Sequence, residues 1–141
     1  MPIAAPVLRG GWVDVDTSRN EIVGIGAADA AAAPSSPLPE RDVDLPDAVI
    51  LPGLVNAHTH LELSHLAGAV PPAPSFVAWV RTMLAVRFGT ATSVATVVEA
   101  VSAAIATMER TGTAGVGDIG NTDVAVRPLA ASHAWRMLME R

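Results

Sequence analysis

Two histidines separated by one residue, His58 and His60, are the side chains of this chain with the clearest capacity for chemistry. They close an apolar stretch that begins at Leu51 and reads Leu-Pro-Gly-Leu-Val-Asn-Ala-His-Thr-His. Residues two apart on a β-strand point to the same face, so both imidazoles would project together. Imidazoles held side by side can take adjacent positions on one metal ion. The spacing therefore indicates a metal site, although ordinary surface or core histidines can share it.

The residues around these histidines resemble a known signature. Residues 52–60 are similar to the opening motif of the amidohydrolase superfamily, at the end of the first strand of a TIM-type (β/α)₈ barrel. Residues 61–64, Leu-Glu-Leu-Ser, resemble the branch that deaminates purine-type and related heterocycles, which includes aminodeoxyfutalosine and adenosylhomocysteine deaminases. The resemblance implies one divalent metal, zinc or iron, held by His58 and His60. It also implies a hydrolase for non-peptide C–N bonds, in which metal-activated water attacks a small heterocycle and ammonia leaves.

The rest of the family's catalytic set has no counterpart in this sequence. The resemblance implies histidines from barrel strands five and six and an aspartate from strand eight, all of which would follow Arg141. A complete barrel takes about 250 residues, whereas this chain has 141. We therefore expect an amino-terminal fragment that is inactive alone, and we assign no catalytic residue within it. The alternatives are a non-catalytic metal-binding or interaction module, and one half of a split enzyme.

Four further side chains are candidates for the surroundings of this site. Glu62 follows the first strand and is a candidate substrate contact, with a surface carboxylate or a local cap as the alternative. Trp79 could form the wall of an aromatic pocket, although a tryptophan on a helix stripe is more often part of the core. Asp118 would end the second strand, where it either orients a ligand or caps the next helix. His65 could approach the site, or could be a solvated loop residue.

Composition limits the classes of function and partner. Half of the residues are hydrophobic, 16% are charged and the net charge is −5, which is globular composition and argues against a nucleic-acid surface. The sequence contains no cysteine, so thiol catalysis and cysteine-based zinc sites are excluded. No apolar run approaches the ~20 residues of a membrane span. We expect a cytoplasmic protein that acts on a small-molecule substrate. The protein would form a homo-oligomer or pair with a complementing carboxyl-terminal chain.

The first fifty residues predict short strands. Residues 7–25 alternate in polarity around a Thr-Ser-Arg-Asn turn, which indicates a β-hairpin. Residues 27–39 are rich in alanine and proline and predict a loop. Residues 42–45 and 48–51 predict two more short strands. The resemblance implies that residues 1–50 are the amino-terminal part of a small β-sandwich.

The resemblance implies that residues 51–141 are the first βα units of an incomplete metal-dependent hydrolase barrel. Strands are expected at 54–60, 113–118 and 134–140. Helices are expected from Ser75 to Gly89, from Thr92 or Ser93 to Gly112, and from a cap at Asn121 or Thr122 to residue 131. This alternation without hairpin signals is typical of a parallel α/β fold. The apolar run of the first strand predicts that helices cover it on one side and a packed interior on the other.

Overall fold

A computed structural model of the chain describes residues 6–28, 41–89, 91–133 and 135–140, the last segment by its backbone alone. The chain divides into two compact units, Met1–Val49 and Ile50–Arg141. Strands and helices are both present, so the mixed α/β class predicted from the sequence is confirmed. Within the described ranges, no helix is long and apolar enough to cross a membrane.

The first unit contains the predicted hairpin. Strand β1 (Trp12–Asp16) pairs antiparallel with β2 (Glu21–Gly26). The connecting turn needs a left-handed residue, and Asn20 takes that conformation with φ of 57°. The Asp16 carboxylate stabilises the turn by accepting hydrogen bonds from the hydroxyl and the backbone N–H of Ser18. Asp16 therefore acts as a local organiser of the hairpin.

The prediction of two short strands at 42–45 and 48–51 is wrong. Both segments are irregular, and between them the Ala48 N–H donates to the Leu45 carbonyl across a turn at a distance of 3.4 Å. Alternating apolar residues were the signal, but a strand also needs a partner, and no described strand pairs with either segment. Most of the predicted loop at 27–39 lies outside the described residues. The β-sandwich assigned to residues 1–50 stays a prediction.

The second unit is built on a three-stranded parallel sheet. Strands β3 (Leu54–Thr59), β4 (Thr113–Gly120) and β5 (Trp135–Glu140) lie in the order β3-β4-β5. All three strands were predicted, β3 to within one residue of its end. Parallel neighbours place their carboxyl ends at one edge of the sheet, and Thr59 pairs there with Asp118.

Helices connect these strands as the sequence indicates. Helix α1 (Phe76–Gly89) begins where the Ser75 hydroxyl accepts from the Ala78 N–H, and α2 (Val94–Arg110) begins with the equivalent bond from Thr96 to Ser93. The short α3 (Val126–Ala131) precedes β5. A 3₁₀ helix over Leu61–Leu66, immediately after His60, was not predicted.

The core of the second unit lies on one side of β4. Its buried members come from the 3₁₀ helix, α2, β4 and the start of α3, namely Leu61, Val101, Ile105, Val116, Ala125 and Leu129. Burying such apolar side chains is what holds a valine-rich helix such as α2 in place, because valine has low helix propensity.

The expectation that β3 is covered is wrong for the described part of the chain. Leu54 and Val55 are 61% and 68% exposed. Helix α1 has no buried residue either. The apolar run correctly indicated a strand, but the surfaces that would cover it are not among the described residues.

Candidate metal centre

The imidazoles of His58 and His60 converge at the carboxyl end of β3. Their Nε2 atoms lie 3.2 Å apart, and the two rings are nearly perpendicular at 81°, with centroids 5.1 Å apart. Both residues are exposed. The same-face arrangement predicted from the His-x-His spacing is therefore present. The two nitrogens that face each other could be bridged by a proton or by a cation.

A contact with the neighbouring strand settles which His60 nitrogen is available. His60 Nδ1 lies 2.7 Å from the backbone carbonyl oxygen of Ile119 on β4. A carbonyl oxygen can only accept, so we assign the ring proton to Nδ1. In this tautomer, Nε2 of His60 carries a lone pair on the side of the ring that faces His58. A metal ligand requires a ring nitrogen with such a lone pair.

Asp118 binds the residues on both sides of His60. Its side chain is almost completely buried, and one carboxylate oxygen accepts from the Thr59 hydroxyl at 2.9 Å and from the Leu61 N–H at 2.8 Å. Of the two roles considered for Asp118, capping the next helix is wrong, because α3 has Ala125 at its N-cap. Its contacts instead orient the segment that carries His60.

Glu62 is neither a surface carboxylate nor a helix cap. It is 4% exposed and forms an ion pair with Arg87 of α1 at 2.9 Å. Asn121 donates to it from both the backbone N–H and the side-chain amide, and Thr122 donates from its hydroxyl at 2.7 Å. Burial raises the pKa of Glu62, but these hydrogen bonds and the Arg87 charge outweigh burial and hold the pKa below its usual range.

Asn121 and Thr122 were predicted to cap a helix, and that prediction is wrong. Helix α3 starts only at Val126, and its N-cap residue, Ala125, has no side-chain hydrogen bond. Polar residues of this kind commonly precede helices, which is why the pair indicates a cap in the sequence. Their true partner, Glu62, lies far away in sequence, and no local pattern links the two sites.

The remaining candidates, His65 and Trp79, line shallow clefts that include neither His58 nor His60. His65 donates from Nδ1 to the Glu62 backbone carbonyl at 2.8 Å, and it borders a cleft of about 220 Å³ beside Arg87. Trp79 is 39% exposed and lines an apolar cleft of about 270 Å³ with Leu63 and Leu66 of the 3₁₀ helix. Their roles, and that of Glu62, at a substrate site stay predictions.

Comparison with known proteins identifies the family of this chain. The model of the amidohydrolase family matches residues 49–139, which is more than half of the chain and includes both histidines and Asp118. The chain belongs to the amidohydrolase family. The resemblance seen in residues 52–60 is thereby confirmed.

Two curated relatives match part of the chain. They are proteins named 5-methylthioadenosine/S-adenosylhomocysteine deaminase from two strains of Desulfitobacterium hafniense, DSM 10664 / DCB-2 and Y51. Each is 31% identical over 74 residues, which is 52% of this chain and 16% of the relative. The chain thus spans only a small part of the length of these relatives. No solved structure matched the chain.

Members of the amidohydrolase family commonly bind a metal ion, and the donor atoms on β3 fit one. Two nitrogens on a tetrahedral zinc, each at ~2.0–2.1 Å, lie about 3.3–3.4 Å apart. The observed separation of 3.2 Å between the two Nε2 atoms is close to that value. In their separation, the two nitrogens therefore fit one ion.

The described residues of this chain would supply only part of a metal site. Among them, no group of three or more histidine, cysteine, aspartate or glutamate side chains is arranged to hold a metal. A catalytic zinc usually has three protein ligands and one open position. His58 and His60 would account for two of the three.

Proposed function

We propose that this chain provides the first two metal ligands of a metal-dependent hydrolase that acts on non-peptide C–N bonds. The observation that carries the proposal is the convergence of the two Nε2 atoms at 3.2 Å, with the His60 tautomer fixed by the Ile119 carbonyl. Two preorganised imidazoles on a strand end are suited to one zinc or iron ion, whichever the cell supplies.

Deamination of a small heterocyclic metabolite is the reaction that the comparisons support best. The chain belongs to the amidohydrolase family, and the relatives that it matches are named as deaminases of adenine-containing compounds. Such a substrate carries an amino group on an amidine-like ring carbon. Hydrolysis at that carbon breaks a C–N bond and releases ammonia.

Each residue of the site has a defined task in this proposal. His58 and His60 would hold the metal, which would supply Lewis acidity to lower the pKa of a water molecule. Asp118 keeps the His60 segment in position through its bonds to Thr59 and Leu61. The base that moves the proton and the groups that recognise the substrate are expected from outside the described residues.

The proposal includes a fold larger than the described sheet. We infer that residues 51–141 form the first βα units of a (β/α)₈ barrel, and that residues 1–50 contribute to a small β-sandwich. The parallel order β3-β4-β5 with intervening helices supports the barrel. The remaining strands would come from a longer form of the chain or from a second polypeptide.

A non-catalytic metal-binding module is the second candidate. It is favoured by the arrangement of only two ligand side chains in the described part of the chain. A carboxyl-terminal segment that supplies the missing ligands would separate the two candidates, because it should create metal-dependent deaminase activity only if the site is catalytic.

The metal site itself is tested by elemental analysis of the variants His58→Ala and His60→Ala after saturation with zinc. We expect each to lose most of the bound metal. His133→Ala is the matched control, since His133 is exposed and its backbone N–H bonds to Glu109. Metal content that is unchanged when both histidines are replaced by alanine would overturn the assignment of His58 and His60 as metal ligands.

A further inference from the structure

The hydrogen-bonded connection between β3 and β4 continues beyond the ends of their backbone pairing. The last paired residues are Thr59 and Asp118. At this pair and beyond it, hydrogen bonds that involve a side chain join residues 59–62 to residues 118–122. The pairs are Thr59 with Asp118, His60 with Ile119, Leu61 with Asp118, and Glu62 with Asn121 and Thr122.

Glu62 ends this series, and its carboxylate has no acceptor capacity to spare. An ionised carboxylate offers about four lone-pair positions. Oε1 accepts from Arg87 at 2.9 Å and from the Asn121 side chain at 2.8 Å. Oε2 accepts from the Thr122 hydroxyl at 2.7 Å and from the Asn121 N–H at 3.3 Å. Each oxygen thus receives two donors, and the side chain is buried among them.

These contacts tie two other elements to Glu62, which follows the second histidine by two positions. Arg87 comes from the last turn of α1, and Asn121 and Thr122 come from the loop after β4. Glu62 lies in the first turn of the 3₁₀ helix. Because that turn starts directly after His60, anchoring it limits how far the His60 end of the strand can move.

We propose that Glu62 is a positioning residue, which holds the His60 end of β3 against β4 and α1. This inference rests on the proposed function, since the position that it fixes is that of a metal ligand. The saturated carboxylate argues against direct substrate contact, because a substrate would have to displace a donor from a buried, charge-assisted network.

The substitution Glu62→Gln tests this role with little change of volume. Glutamine replaces one acceptor oxygen with an amide donor, so the two donors at that position lose their partner. Three measurements on the 141-residue chain read the outcome: Zn²⁺ affinity by equilibrium dialysis, the visible spectrum of bound Co²⁺, and hydrogen exchange in the peptide that contains Leu61. Glu99→Gln is the matched control, because Glu99 is an exposed glutamate on α2.

We expect Glu62→Gln to weaken Zn²⁺ binding about tenfold. This is the lower end of the loss seen when a residue that orients a metal ligand is replaced. The Co²⁺ spectrum should change, and exchange at Leu61 should accelerate, with helix content by circular dichroism unchanged. Glu99→Gln should match the unmodified chain in all three. A folded Glu62→Gln variant with unaltered Zn²⁺ affinity, Co²⁺ spectrum and Leu61 exchange would overturn the inference.

A milder variant keeps the test decisive if Glu62→Gln fails to fold. Thr122→Val removes a single donor from an exposed residue at nearly constant shape. It should weaken Zn²⁺ binding a few-fold and speed Leu61 exchange, and a folded variant without either change would contradict the positioning role. If the unmodified chain binds no metal through His58 and His60, the proposed function fails. Leu61 exchange then still decides whether Glu62 positions the segment.

Discussion

The Nδ1 atom of His60 lies 2.7 Å from the backbone carbonyl oxygen of Ile119. The orientation of a candidate ligand on β3 therefore depends on the backbone of β4. Since a carbonyl cannot be removed by side-chain substitution, the residues that place these two strand ends side by side are the ones to test. They include Asp118 and Gly117.

Asp118→Asn should loosen the segment around His60. Asparagine keeps one acceptor but loses the negative charge that strengthens the bonds from Thr59 and Leu61. We expect a loss of about 1–3 kcal/mol in the free energy of unfolding, measured by urea denaturation, together with weaker Zn²⁺ binding. Asp123→Asn is the control, because Asp123 is exposed. Equal stability of the two variants would show that the Asp118 contacts contribute nothing.

Gly117→Ala should destabilise the sheet next to the site. A Cβ at Gly117 would lie 2.7 Å from the Ala57 carbonyl oxygen, so the strands would have to separate locally. Overpacking of this kind costs about 1–3 kcal/mol. At Gly89, a Cβ would meet no atom within 4 Å, so Gly89→Ala should be neutral or slightly stabilising. Thermal unfolding of both variants measures the difference, and equal melting temperatures would contradict the close approach.

The chain alone should not deaminate an aminated purine at an enzymatic rate. His58 and His60 leave the coordination sphere short of a third protein ligand. A steady-state ammonia-release assay with and without added Zn²⁺ measures this, with a full-length deaminase as the positive control. Metal-dependent turnover by the purified 141-residue chain would show that its own residues complete the site.

The isolated chain should self-associate, be partly molten or be insoluble, because β3 exposes apolar side chains beside a sheet edge that no described strand pairs with. Val55→Lys should reduce association in sedimentation velocity experiments. Ile22→Lys is the control, since Ile22 on β2 is 69% exposed, close to the 68% of Val55. A partner that supplies the remaining strands should also reduce association. A monodisperse monomer with protected amides in β3 and β4 would argue against this prediction.

The hairpin of the first unit should weaken in acid. The hydrogen bond from the Ser18 hydroxyl is the main cause of the lowered pKa of Asp16. Desolvation raises this pKa slightly, whereas the backbone N–H groups of Arg19 and Ser18 lower it further. Because the pKa of Asp16 is lower in the folded chain than in the unfolded chain, the Asp16 carboxylate stabilises the hairpin fully above the unfolded-state pKa of about 4. This stabilisation is then lost as the pH falls through the folded value. Carboxyl carbon shifts in an NMR titration measure this, and Ser18→Ala should raise the Asp16 pKa.

Local signals in the sequence predicted the elements that local chemistry determines. Ser75 and Ser93 precede their helices as N-caps, and the His-x-His spacing placed both imidazoles on one side of a strand. Strand pairing is not local, so the apolar alternation around Val43 and Val49 predicted strands where no described partner exists.

The supporting contacts of the site were beyond sequence reasoning for the same reason. Glu62 and Asp118 were both identified as candidates, but their partners were not. Arg87, Asn121 and Thr122 meet Glu62 only because α1 and β4 pack beside the 3₁₀ helix. Nothing in the spacing of a single sequence reveals such contacts.

The side-chain series between residues 59–62 and 118–122 determines what would have to be moved to transplant this site. Grafting the tripeptide His-Thr-His onto another sheet would carry over two imidazoles but not their tautomer or their orientation. The smallest transferable unit is a pair of adjacent strand ends, one with the histidines and the other with the Ile119 carbonyl and the Asp118 carboxylate. A designer who copies only the motif should obtain a protein that binds metal weakly and without a fixed geometry.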